Sequence, residues 1–168
     1  MTIQPTDRVA VLGDGKLGLL VAAVLRLTGA EVTLVGRHAD KLAIAAGWGV
    51  YAQQADIPRQ ERSADVVVEC TGHPDGFDLA RRLLRPRGTL ILKSTYHGRL
   101  AVDMSALVVD EITVVGSRCG PFAPALRLLA TGLVDPRPLI TATYPLHEGV
   151  AAFAHAAAPG VLKVLLKL

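Results

Sequence analysis

Gly13, Gly15 and Gly18 fall at the spacing G-x-G-x-x-G directly after the apolar run Val9-Ala10-Val11-Leu12. Residues in that order can hold a pyrophosphate, and each glycine has its own task. A glycine at 13 permits a tight turn out of a strand. One at 15 lets the backbone approach the phosphates without a Cβ in the way, and one at 18 lets the next helix lie close on the sheet. The N–H groups that open such a helix have no intrahelical partners and, with the helix dipole, favour an anion. The chemistry predicted here is the binding of a dinucleotide carrying nicotinamide or flavin.

Neighbouring residues narrow the choice. A P-loop is excluded because Leu19, not Lys, follows Gly18, which leaves no cation for terminal phosphates. The Tyr-x-x-x-Lys pair of short-chain dehydrogenases is absent: Tyr51, Tyr96 and Tyr144 are followed four residues on by Ala55, Leu100 and Glu148. Roughly twenty residues past the glycines, an Asp or Glu would accept hydrogen bonds from the adenosine ribose and repel a 2′-phosphate. This chain has Gly36-Arg37-His38 there, with no carboxylate between Val32 and Ala39. Arg37 can fork onto phosphate oxygens, and Lys41 lies one helical turn further. NADP(H) is therefore favoured over NAD(H), the alternative being that Arg37 and Lys41 form a solvated surface pair. The missing acid also weighs against S-adenosylmethionine.

The elements that position these residues follow from periodicity. Leu17, Leu20, Val21, Val24 and Leu25 recur on one face of a helix of about three turns, which Gly29 stops. Glu31 to Gly36 is a second strand, Ala39 to Ala46 a short helix, Val50 to Ala52 a brief third strand, and Gln53 to Ser63 a loop around Pro58. Asp65 to Cys70 is an apolar fourth strand suited to burial on both faces. Phe77, Ala80, Leu83 and Leu84 line a helix closed by Pro86 and Gly88, and Thr89 to Lys93 is the fifth strand. A short helix capped by Asp103 precedes a sixth strand, Ile112 to Ser117. The expected fold class is α/β: a Rossmann doubly wound six-stranded parallel sheet over residues 1–135. From Arg137 the pattern changes to strand, Ala-rich helix and strand, a small β-α-β appendage over 136–168.

Bulk properties agree with a cytoplasmic globular chain. Hydrophobic residues make up 51% of the 168 and aromatics only 4%, so a close-packed core is available. No apolar run reaches the roughly 18 residues of a membrane span, and Met1-Thr2-Ile3-Gln4-Pro5 does not read as a signal peptide. The net charge of +3 is spread over interleaved basic and acidic residues, so neither nucleic acid nor membrane is expected as a partner. Cys70 and Cys119 show no C-x-x-C or metal-ligand spacing and are expected as reduced, buried thiols.

Val9 to Gly18, Asp65 to Gly72, Arg87 to Leu92 and Ile112 to Ser117 together resemble the cofactor domain of the medium-chain dehydrogenase/reductases, the zinc-type alcohol dehydrogenases. The resemblance covers almost the whole chain, tail included. It implies that Gly13, Gly15, Lys16, Leu17 and Gly18 form the pyrophosphate turn, and that Gly36, Arg37, His38 and Lys41 form the adenosine-ribose pocket. Cys70, Thr71 and Gly72 would line the middle of the cofactor. Lys93, Ser94, Ser117, Arg118 and Cys119 would lie at the nicotinamide end, largely through backbone groups. The stretch between Ala52 and Asp65 departs from the family in being too short for its usual helix. The implied reaction is hydride transfer between nicotinamide and an alcohol or carbonyl, with zinc as Lewis acid held by a catalytic domain expected to be missing from this chain. No catalytic residue or metal ligand is assigned here; His73, His147 and His155 read as surface or core side chains, and His97 alone falls near the predicted rim. A homodimer is implied, supported by the sheet edge and the loop around His97 to Val102. The competing reading is a non-catalytic nicotinamide-sensing or scaffold module acting through a partner chain.

Overall fold

A computed structural model describes residues 2–56, 61–95 and 99–168. The chain forms two compact units, 1–121 and 122–168. In the first, β1 (Arg8–Leu12), α1 (Lys16–Leu25), β2 (Glu31–Gly36), α2 (Ala39–Gly47) and β3 (Tyr51–Gln54) make one half of a sheet. β4 (Ala64–Glu69), α3 (Pro74–Leu83), β5 (Leu84–Leu92), α4 (Met104–Val109) and β6 (Thr113–Gly116) make the other. All neighbouring strands are parallel, in the order β3-β2-β1-β4-β5-β6. This is the Rossmann order, and its direction reverses between β1 and β4, which opens a crevice at their carboxyl ends.

Side-chain alternation along the strands divides the core. Ala10 and Leu12 of β1, Val67 of β4 and Leu90 of β5 cluster with Phe77, Ala80 and Leu83 of α3 and Leu107 of α4. The alternate residues Val9 and Val11 are buried too, as expected where each strand is covered on both sides. α1 buries Gly18, Leu19, Ala22 and Ala23, and α2 buries Leu42 and Ala45. Two acidic staples hold the amino ends of the strands, away from the glycine turn. Asp65 accepts from the Arg8 amide at 2.7 Å and from Arg85 Nε at 2.6 Å, tying β1, β4 and β5. Asp110 accepts two bonds from the Arg62 guanidinium, at 2.9 and 2.7 Å, and one from Arg81 at 3.0 Å. The Arg62 bonds hold the Asp110 carboxyl below the usual carboxylate range.

Several boundaries differ from the sequence reading. β3 runs to Gln54 instead of stopping at Ala52. Pro86 and Gly88 do not close α3; they lie inside β5, which begins at Leu84 opposite Ala64. The register shifts between Ala64 and Val66, and such an irregularity is where a strand can carry a proline. The Asp103 cap is present, its carboxylate accepting from the Ala106 amide at 3.3 Å. Pro58 and His97 lie outside the described residues.

The second unit opens with α5 (Phe122–Ala130), for which the sequence reading has no counterpart. Pro124 sits in its first turn, where a missing N–H costs nothing. α5 groups with the C-terminal residues, whereas the sequence reading draws its boundary after residue 135. The appendage follows: β7 (Ile140–Pro145), α6 (Gly149–Ala156) and β8 (Lys163–Lys167), with β7 and β8 parallel. Tyr144 Oη lies 2.9 Å from His155 Nδ1, joining β7 to α6. Phe122 is 76% exposed, Val150 89% and Phe153 75%, so apolar surface remains on this unit. Among the described residues no helix is long and apolar enough to cross a membrane.

Candidate functional site

The three glycines have three different surroundings. Gly13 leaves β1 at φ +107°, and a Cβ there would lie 2.8 Å from the Cys70 carbonyl oxygen, so the turn is pressed against the end of β4. A Cβ on Gly18 would overlap the Gly13 carbonyl, so α1 packs directly against the turn. Gly15 has nothing within 4 Å of a Cβ position, and it faces open space. The first bond of α1 runs from the Leu19 amide to the Gly15 carbonyl at 3.0 Å, which puts the amides of Lys16, Leu17 and Gly18 ahead of the helical ladder. The first turn of α1 contains no acidic residue and does contain Lys16. Open space, unladdered amides and a local positive charge fit a diphosphate.

At the end of β2 the structure adds a residue that the sequence reading missed. Asp14, inside the glycine turn, is buried. Its Oδ2 accepts from the amides of Arg37 and His38, both at 2.7 Å, and His38 Nδ1 lies 3.0 Å away. Burial pushes the Asp14 carboxyl up, but the His38 amide, the His38 ring and the Arg37 amide outweigh it, and the net direction is down. A carboxylate therefore does stand at the end of β2, delivered from the first loop and already engaged by N–H donors. Gly36 is glycine for the same reason: a Cβ there would overlap Asp14 and come 2.6 Å from its Cγ. Arg37 and His38 are exposed, and Arg37 makes no salt bridge among the described residues.

At the end of β4, Glu69 is fully buried, and its Oε1 accepts from the Thr71 amide and hydroxyl, both at 2.6 Å. Those bonds fix the loop that carries Cys70, Thr71 and Gly72. Burial, reinforced by Glu69, pushes the Cys70 thiol up to about 12, so it is a neutral spacer and not a nucleophile. The expectation of two buried thiols is corrected: Cys70 is half-buried and Cys119 exposed. Cys119 lies three residues beyond β6. Further along, the Gly72 amide donates to Ser94 Oγ at 2.8 Å, and Lys93 Nζ donates to the Arg118 carbonyl at 2.9 Å and to Ser117 Oγ at 3.3 Å.

A cleft of about 740 Å³ runs along these strand ends, within the range for small-molecule and cofactor sites. Of the predicted residues, Gly13, Gly15, Gly36, Arg37, His38, Cys70 and Thr71 line it, together with Asp14. Lys16, Leu17 and Gly18 form the helix start that follows Gly15, and Gly72 is not part of the lining; its amide is held by Ser94. Lys41 is largely buried on α2 and is not part of the wall. Lys93, Ser94, Ser117, Arg118 and Cys119 gather beyond the cleft, at the ends of β5 and β6. Asp56, Asp75 and Arg82 line the cleft without having been singled out, and His73, read from the sequence as a surface or core side chain away from the rim, lines it too.

This glycine turn, strand order and strand-end cleft can be set beside known proteins. The zinc-binding dehydrogenase family model matches residues 17–131. The chain belongs to the zinc-binding dehydrogenase family. Members of this family are oxidoreductases, and relatives of the chain have such names. A sorbitol dehydrogenase of Halalkalibacterium halodurans is 30% identical over 182 residues, covering 98% of this chain and 53% of that protein. L-idonate 5-dehydrogenase from Escherichia coli K-12 superposes with a TM-score of 0.90 at 24% identity, over 98% of this chain and 51% of that one. A "putative zinc-binding dehydrogenase" from Sinorhizobium meliloti 1021 bound to NADP superposes with a TM-score of 0.87 at 28% identity, over 99% of this chain and 54% of that one. The chain thus spans about half the length of the dehydrogenases it matches.

The family name implies zinc, and the donor set can be tested for it. Among the described residues no three or more His, Cys, Asp or Glu side chains gather where they could hold a metal ion. These residues do not fit zinc, and no step through a metal is derived from them. The glycine turn does fit the coenzyme.

Proposed function

We propose that this chain is the coenzyme-binding unit of an alcohol dehydrogenase-like oxidoreductase that favours NADP(H) over NAD(H). Bound nicotinamide would supply the hydride exchanged with an alcohol or carbonyl. The chain's own residues bind and orient. The amides of Lys16, Leu17 and Gly18 would hold the pyrophosphate, Thr71 and Gly72 the middle of the coenzyme, and Lys93, Ser94, Ser117, Arg118 and Cys119 would border the nicotinamide. The observation that carries the NADP(H) preference is the pairing at the end of β2. The Asp14 carboxylate there is turned onto backbone N–H groups, while the Arg37 guanidinium stands exposed on the cleft wall.

Arg37→Ala tests this reading. A hydrogen bond to a charged group contributes about 1.5–3 kcal/mol, so the NADPH dissociation constant is expected to rise roughly 10- to 150-fold. That for NADH should move less than about threefold, because Arg37 has no 2′-phosphate to meet there. Equal losses for both coenzymes, measured by calorimetric titration, would remove the basis for the preference.

Three further proposals belong to the same reading. Residues 136–168 complete a catalytic domain, the location is cytoplasmic, and the chain associates as a homodimer. Apolar exposure at Phe122, Val150 and Phe153 supports association. Light scattering at high concentration is expected to give twice the 17.7 kDa chain mass; a strictly monomeric profile would count against it.

A further inference from the structure

We propose that Asp14 is a positioning residue that sets coenzyme choice, acting through Arg37, His38 and the glycine at 36. This rests on the NADP(H) reading above and extends it to a residue outside the usual end-of-β2 position.

The argument begins with volume. An acid that accepts from the adenosine ribose hydroxyls would stand at position 36, the last residue of β2. Any side chain there must enter space taken by Asp14, since a Cβ would overlap the Asp14 Cβ and Oδ2. The atoms in the way include Cβ and Cγ, so a rotation of the carboxylate does not clear them. The aspartate is also pinned from three sides, by two backbone amides at 2.7 Å and the His38 ring at 3.0 Å. Position 36 alone therefore cannot acquire an NAD-type acid.

The second step is presentation. Both Oδ2 bonds fall on consecutive amides, which fixes the backbone of residues 37 and 38 as the chain leaves β2 for α2. The third contact takes the Nδ1 side of the imidazole, which turns Nε2 away from Asp14. Arg37 and His38 both line the cleft. Their side chains would meet a 2′-phosphate and would have nothing equivalent to meet on NADH. Loosening this segment thus costs NADPH affinity selectively, whereas a merely structural residue would weaken both coenzymes alike.

The test is calorimetric titration of NADPH and NADH, with a melting curve for each variant. In Asp14→Ala the preference for NADPH over NADH is expected to fall at least tenfold, with NADH affinity within about threefold of wild type. In Asp14→Asn, whose carboxamide oxygen can still accept from the two amides, the preference should stay within about threefold of wild type. Should Asp14→Ala not fold, Asp14→Gly/Gly36→Asp carries the test. It moves the carboxylate to position 36 in space that glycine vacates, and is expected to invert the preference at least tenfold toward NADH. A folded Asp14→Ala with the wild-type preference, an Asp14→Asn that loses it, or a folded double variant that still favours NADPH would overturn the proposal. Wild-type chain without any preference for NADPH is a separate result, and it would remove the underlying reading instead.

Discussion

Gly15→Val is expected to leave the melting curve of the chain nearly unchanged while weakening NADPH and NADH binding by about 100-fold or more. The two halves of that expectation come from one observation. A Cβ at position 15 meets nothing within 4 Å, and the backbone there is extended at φ −72° and ψ 171°, which a β-branched residue adopts readily. Folding therefore has no reason to suffer. On the proposed reading the valine fills open space in which the diphosphate would meet the amides of Lys16, Leu17 and Gly18, which lie ahead of the first helical bond. Losing two charge-assisted bonds at about 1.5–3 kcal/mol each exceeds the roughly 2.7 kcal/mol that 100-fold represents. Parallel thermal melts and titrations check both halves. Tight binding by the folded variant would mean that the pyrophosphate lies elsewhere.

Gly18→Ala is expected to do the reverse, damaging the fold first and binding as a consequence. Its new Cβ would overlap the carbonyl of Gly13, and the obstacle is backbone, in a turn itself pressed against Cys70. Either α1 moves off the sheet or the turn shifts, and overpacking of this kind costs about 3 kcal/mol. For a chain of this length that corresponds to a melting temperature lower by roughly 6–12 °C. A thermal melt of the variant at the wild-type temperature would show that helix and turn are not in close contact. The contrast between positions 15 and 18 separates a glycine required by a ligand from one required by packing.

How much of this was legible in the sequence varies with the range of the interaction. The glycine turn and the six strands follow from local periodicity and turn chemistry, because each depends on residues within a few positions of one another, whereas the strand order, with β1 beside β4, rests on pairing between distant residues. Pro86 and Gly88 misled for a local reason. They read as helix terminators, yet the partner that makes them strand is Ala64, whose pairing with Leu84 no window of adjacent residues contains. α5, for which the sequence reading has no counterpart, carries Pro124 in its first turn, where a proline is tolerated.

Asp14 is the more instructive omission. Its partners lie 23 and 24 residues away. The signal was present in the register: Leu12 of β1 pairs with Val35 of β2, so the residue two beyond Leu12 emerges beside the residue two beyond Val35. A carboxylate in the first turn, a glycine at 36 and two donors after it form one unit once that register is known. Lys41 erred in the opposite sense. One helical turn beyond Arg37 is the right spacing for a second phosphate contact, but the side chain is mostly buried and leaves the cleft wall to Arg37 and His38.

The central claim is that the turn after β1 holds a dinucleotide diphosphate and that the end of β2 selects the 2′-phosphorylated form. Calorimetric titration of the folded wild-type chain with NADPH and with NADH tests it most directly. The expected result is saturable binding of both, tighter for NADPH by at least tenfold. Absence of saturable heat with either coenzyme, or tighter binding of NADH, would contradict it.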